Sequence, residues 1–121
     1  SSDLSAMIRK YTSTSYSKVP PEHLDAWMEY VSSYSAQELL KGYSIICPLT
    51  MGHQFIKLCL LPNDSDWWLL WCYNLLITCN EMDVLMIDGW DESYGVIKEI
   101  DFAEKNGIKI NYIPVSFRII I

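Results

Sequence analysis

The stretch from Met82 to Tyr112, MDVLMIDGWDESYGVIKEIDFAEKNGIKINY, leaves the chain few folds to choose from. It reads as strand, loop, helix, turn, strand. Val84, Leu85, Met86 and Ile87 form a short apolar run of the kind a fully buried parallel strand needs. Asp88-Gly89-Trp90-Asp91-Glu92-Ser93 is loop chemistry, and Asp91 or Ser93 can cap the helix that follows. That helix is predicted to run to about Asn106 and to stop at Gly107. Ile108 to Ile113 gives the next strand. A strand, a helix and a second strand so closely spaced imply a crossover and parallel pairing.

Within the helix, Val96, Ile100 and Ala103 share a face. Glu99 falls on the same stripe. A carboxylate turned into an apolar side costs several kcal/mol unless it is paired or neutralised, and desolvation raises its pKa. A glutamate early in a helix, just past a strand's carboxyl end, lies where open α/β sheets put their ligand crevice. The other reading is an edge-of-stripe glutamate paired with a Lys or Tyr.

The rest of the chain fits around this unit. Its 121 residues argue for one domain with one core. Ser1–Ala6 carry no pattern and read as residues added ahead of a natural start at Met7. Ile8 to Ser13 is the first strand, an atypical one because Arg9 and Lys10 precede Tyr11. Tyr11 to Ser17 is rich in hydroxyls; such a loop lines a polar pocket or is an ordinary Ser/Thr turn. After Pro20-Pro21 a helix is predicted from about Glu22 to Lys41, with Leu24, Trp27, Met28, Val31, Tyr34 and Leu39 at helical spacing. Gly42 ends it, and Tyr43–Cys47 is the second strand, stopped by Pro48. Thr50–His53 then lies past a strand's carboxyl end, where His53 reaches the pocket or faces solvent.

Leu58–Leu61 are apolar but short, and Pro62–Asp66 form a turn and helix cap. From Trp67 to about Cys79 a helix is predicted that is apolar nearly all round. So little polar surface implies burial of more than one face, hence a homodimer or higher oligomer through Trp67–Leu76. Phe117 to Ile121 adds an edge strand. The expectation is a flavodoxin-like, single-domain α/β fold with a parallel sheet of about five strands and helices on both faces.

Composition excludes several functions. A net charge of −6 supplies no basic footprint for nucleic-acid polymers or acidic membranes. It still permits one small anion at a helix N-terminus. Cys47, Cys59, Cys72 and Cys79 form no CxxC pair, and His23 and His53 are far apart, so no zinc site and no cofactor is expected. The apolar run Trp67–Ile77 is too short to span a bilayer. These features read as a cytoplasmic protein with reduced thiols.

Ser93-Tyr94-Gly95-Val96-Ile97-Lys98-Glu99 resembles the Ser/Asp-x-Gly-x-x-x-Glu signature of the nucleoside 2-deoxyribosyltransferase-like superfamily. The longer string Asp88–Ala103 is similar to a small branch of it found in bacteria and phages. That branch has a Tyr-x-Ala-Ser-Pro-Tyr-Ser-like loop, which Tyr11–Ser17 resembles with Ser13 and Ser15 at the Ala and Pro positions. Cys47-Pro48 followed by His53 resembles its Ser-Pro…His segment. The resemblance covers nearly all of Met7–Ile113.

The resemblance implies cleavage or transfer at the N-glycosidic bond of a nucleoside or nucleoside 5′-monophosphate. It makes Glu99 the nucleophile and puts Ser93 and Gly95 at the sugar or its 5′-phosphate. Tyr16 takes a pocket position, with Ser13, Ser15, His53 and Asp88 as further substrate contacts. The superfamily's two aspartates, eight residues apart, correspond here to Cys72 and Asn80. A helper carboxylate is therefore missing, with Asp83, Asp88 or Asp66 as candidates to replace it. That departure favours an alternative, a protein that sequesters or senses a nucleotide in the same pocket without turning it over.

Overall fold

A computed structural model describes residues 7–58 and 64–119. Strands β1 (Arg9–Thr14), β2 (Ser44–Ile46), β3 (Glu81–Met86) and β4 (Lys109–Pro114) form one sheet in the order β2-β1-β3-β4. Every pairing is parallel. The helices are α1 (Pro21–Leu40), α2 (Pro48–Leu58), α3 (Ser65–Leu76) and α4 (Tyr94–Lys105). A short 3-10 turn, Trp90–Glu92, precedes α4. The order is that of the first four strands of a flavodoxin-like doubly wound sheet.

Helices cover both faces. On one, Trp27, Met28 and Val31 of α1 pack on Leu85 and Ile87. On the other, Leu76 of α3 and Val96 and Ala103 of α4 pack on Tyr11, Met82 and Val84. The alternation of β1 and β3 thus divides two cores between the faces. Gly107 ends α4 at φ +68° and Gly89 turns the chain after β3 at φ +86°, a left-handed backbone that favours glycine.

The central unit forms as its pattern dictates: β3 lies inside the sheet and pairs parallel with β4 in the register Val84–Tyr112. Five other expectations need correction. The sheet has four strands among the described residues, not about five. Phe117 leaves the sheet edge to pack on Trp27 and Tyr30, with ring centroids 5.2 and 5.9 Å away, while residues 120–121 lie outside the described part. Thr50–His53 is not a loop but part of α2, which starts at Pro48, a residue pre-set for a first helical turn. The inward stripe of α1 ends on Glu38, while Leu39 is exposed. Finally, α3 stops at Leu76, with Ile77 as its cap.

The proposed added residues Ser1–Ala6, and most of the Leu58–Leu61 run with Pro62 and Asn63, lie outside the described residues. Asp64 caps α3 by accepting from the Asp66 amide at 2.9 Å. Among the described residues no helix is long and apolar enough to cross a membrane.

Candidate functional site

At the carboxyl ends of β1 and β3 a cavity of about 150 Å³ opens between α2, α3 and the start of α4. Its polar wall includes Tyr11, Tyr16, His53, Ser93 and Glu99, and its apolar wall includes Trp68 and Trp71. Gly52 of α2 packs against this wall, where a Cβ would come into ordinary contact with Trp68 and Trp71.

Glu99 sits on the inward stripe of α4 and is 5% exposed. Its Oε1 accepts a hydrogen bond from Ser13 Oγ at 3.1 Å. Oε2 is buried without a partner. Burial pushes its pKa up to about 7, against the opposing pull of the Tyr11 and Ser13 hydroxyls. Burial first, and then the same carboxylate, raises the pKa of Tyr11. Cys72 of α3 lines the cavity too. Burial first, then the nearby Glu99, raises its thiol to about 12, so it stays a neutral thiol.

Ser93 holds the N-cap position of α4, yet its side chain makes no capping bond. It is buried and lines the cavity beside Gly95. A Cβ on Gly95 would meet nothing within 4 Å, so the first turn is open to a ligand. The amides of that turn lack intrahelical partners and carry the positive end of the helix dipole.

Tyr16 faces the cavity and its hydroxyl stands 2.7 Å from His53 Nδ1. His53 is buried, and its Nε2 stands 2.7 Å from Asp25 Oδ1. Asp25 is exposed and also accepts from Lys57 at 3.2 Å.

The structure thus brings Glu99, Ser93, Gly95, Tyr16 and His53 together around one cavity. Ser13 stands behind Glu99 as its hydrogen-bond donor. Ser15 is buried nearby with its hydroxyl unpartnered, and its carbonyl accepts from Trp27 Nε1 at 3.1 Å. Asp88 is exposed and is not part of the cavity wall.

None of the three replacement aspartates lines the cavity either. Asp83 is buried on the α1 face, where Tyr34 donates to it at 2.6 Å. Asp66 accepts from Tyr94 Oη at 2.7 Å. Asn80 has a structural role, accepting from the Arg9 amide at 2.8 Å.

Sequence reasoning did not single out Asp25, Trp68 or Trp71 for this site. Asp25 carries no signal, because it lies on the solvent side of α1. The two tryptophans sit on the α3 turn that carries Cys72, a spacing that turns them toward the same wall. Among the described residues no three His, Cys, Asp or Glu side chains gather closely enough to hold a metal ion.

The chain matches a family described as a domain of unknown function, DUF1937, over residues 8–114, and it belongs to that family. No curated protein matches it.

Proposed function

We propose that this protein breaks the N-glycosidic bond of a nucleoside or nucleoside 5′-monophosphate, with Glu99 as the nucleophile. This is the activity of the nucleoside 2-deoxyribosyltransferase-like superfamily that the Ser93–Glu99 motif resembles. The observation that carries the reading is the state of Glu99, a buried carboxylate on a cavity wall with one oxygen held by Ser13 and one unspent. A pKa near 7 supports it as well. Such a carboxylate is more basic than a solvated one, yet ionised in good part at neutral pH.

In the first step a Glu99 oxygen bonds to the anomeric carbon as the carbon–nitrogen bond breaks. The sugar passes through an oxocarbenium-like transition state. In the second step water, or a second base, takes the sugar from Glu99. Ser93 and the open amides of the first α4 turn suit the sugar's 5′-phosphate. Trp68 and Trp71 supply an apolar wall against which a base can stack.

The decisive experiment is incubation with a panel of nucleosides and 5′-mononucleotides, with free base followed by chromatography. Base release that disappears in Glu99→Gln supports the proposal; no release from any member of the panel removes it.

One observation favours a second reading. The helper position is the neutral thiol of Cys72, and Asp66, Asp83 and Asp88 are all absent from the cavity wall. A protein that binds a nucleotide tightly and never turns it over fits that feature. Self-association is part of either reading. Trp67 and Leu70 stay exposed on α3, and Phe55 and Ile56 on α2. A monomeric mass by sedimentation removes that part.

A further inference from the structure

We propose that Tyr16 and His53 form a proton relay, with Asp25 positioning the His53 ring, that hands a proton to the departing base and recovers it from the attacking water. This inference rests on the glycosidic reading above and assigns its acid and base. His53 borders two spaces. One is the cavity that holds Glu99, shared with Tyr16. The other is a polar groove of about 350 Å³ between α1 and α2, lined by Asp25, Gln54 and Lys57 among others. Nδ1 bonds toward the cavity through Tyr16, and Nε2 bonds toward the groove through Asp25, each at 2.7 Å. A continuous hydrogen-bonded path thus joins solvent to the site.

The arrangement has little structural justification as a clamp. The Asp25 side chain is 72% exposed, and an exposed charge contributes little to stability. Its bonds to His53 and then Lys57 hold its carboxyl below the usual range, so it is a carboxylate that only accepts. Nε2 therefore carries a hydrogen, and the state of Nδ1 sets what Tyr16 does. A charged ring donates from Nδ1 to the Tyr16 oxygen, which frees the phenolic hydrogen for the cavity. A neutral ring accepts that hydrogen, which leaves the Tyr16 oxygen free to take another.

The two states match the two steps. As the bond from the anomeric carbon to the base breaks and Glu99 bonds to that carbon, Tyr16 gives its proton to the base nitrogen. It takes the Nδ1 proton in exchange, and His53 becomes neutral. Water then attacks the anomeric carbon, and the bond to Glu99 returns its electron pair to the carboxylate. A proton of that water passes to the Tyr16 oxygen as the phenolic proton returns to Nδ1. The ring ends in the state in which it began, and the sum is nucleoside plus water giving sugar plus base.

The test compares leaving groups that need a proton with one that does not. Natural nucleosides and the 4-nitrophenyl ribosides and 2-deoxyribosides are followed in single turnovers, which isolate the first bond cleavage. Tyr16→Phe and His53→Gln should slow nucleoside cleavage roughly 10²-fold or more, the usual scale of general acid catalysis. Nitrophenolate release should change less than about threefold, because that anion leaves without a proton. Asp25→Asn should slow nucleosides about tenfold and spare nitrophenolate release. It lies at the surface, so it keeps the test open if His53→Gln does not fold. Equal losses on both substrate types, or none on nucleosides, overturn the relay and leave the glycosidic reading standing. A wild type that releases neither base nor nitrophenolate overturns both.

Discussion

Two carboxylates are buried on opposite faces of one sheet, and they are treated in opposite ways. Asp83, on the α1 side, is saturated. Tyr34 donates to its Oδ2 at 2.6 Å, Lys10 at 3.3 Å, and Asn111 donates to its Oδ1 at 2.9 Å. Lys10 also reaches Glu38 at 3.0 Å and stands 3.8 Å from the centre of the Tyr43 ring. Glu99, on the α3–α4 side, has only the Tyr11 and Ser13 hydroxyls to answer its charge, and its Oε2 makes no hydrogen bond.

The outcome follows from the number of partners. Burial works to lower the Lys10 pKa, but the bonds and charges of Glu38 and Asp83 outweigh it and raise it. Burial works to raise the pKa of Glu38, but Lys41 and Lys10 outweigh that and lower it. In that network the charges of Lys10 and Glu38 are both favoured. Around Glu99 no cation answers the burial, so desolvation wins and the proton is retained to about pH 7. A fully partnered buried network fixes structure; a half-partnered carboxyl in a cavity holds chemical potential for something else.

The largest expected effect separates the two faces by function. If Glu99 is the nucleophile, Glu99→Ala removes essentially all turnover, since no other group on the cavity wall is placed to form the covalent intermediate. Wild-type turnover should also fall as pH drops through about 7, because only the ionised carboxylate attacks. A pH–rate profile with no limb near neutrality breaks this side of the contrast.

The next effect belongs to the saturated face. Asp83→Ala leaves Lys10 and Tyr34 short of an acceptor inside the protein, and a broken buried charge network costs about 3–5 kcal/mol. Urea unfolding at pH 7 measures it. A loss below about 1 kcal/mol, the scale of an exposed pair, would mean that water reaches Lys10.

Glu99→Gln should do the reverse and stabilise. The wild-type carboxyl keeps its proton to about 7 when folded, against its ordinary 4.5 when unfolded. Between those values the folded state holds the extra proton, so wild-type stability falls as pH rises. The difference amounts to about 3 kcal/mol once both states are ionised. The variant keeps an oxygen for Ser13 and carries no such penalty. Its advantage should be near zero at pH 4 and reach up to about 3 kcal/mol at pH 8. Denaturation midpoints that stay parallel across that range contradict the raised pKa.

The same contrast explains what the sequence disclosed. Strand β3 and helix α4 were legible because Val84–Ile87 and the Val96, Ile100, Ala103 stripe obey the periods of their elements, and Glu99 stood out against that stripe. Strand β1 was only half legible. Lys10, Ser13 and Thr14 are buried, yet what makes their burial tolerable lies far along the chain, at Glu38, Asp83, Leu85 and Glu99. Helix α2 was missed for the same reason. Gly52 and His53 weaken its local pattern, and only contact with Trp68, Tyr16 and Asp25 gives those positions a reason. The apolar girth of α3 implies burial of more than one face without saying against what, and Trp68 and Trp71 line the cavity.

The smallest effect sharpens the contrast within the cavity itself. A serine at an N-cap ordinarily contributes about 1 kcal/mol to its helix, through a bond to an amide of the first turn. Ser93 makes no such bond. Ser93→Ala should therefore change the unfolding free energy by less than about 0.5 kcal/mol, the usual range for a substitution that breaks no special feature. Ser93 lines the cavity beside the open amides of α4 instead. Affinity for a nucleoside 5′-monophosphate should then fall by roughly 1–3 kcal/mol, the scale of a lost hydrogen bond to a charged group. Affinity for the matching nucleoside, which lacks the phosphate, should stay nearly constant. Titration calorimetry on both ligands, beside one denaturation curve, reads all three quantities. If stability drops and both affinities are untouched, Ser93 serves the helix rather than the ligand, and the open end of α4 is not the phosphate site.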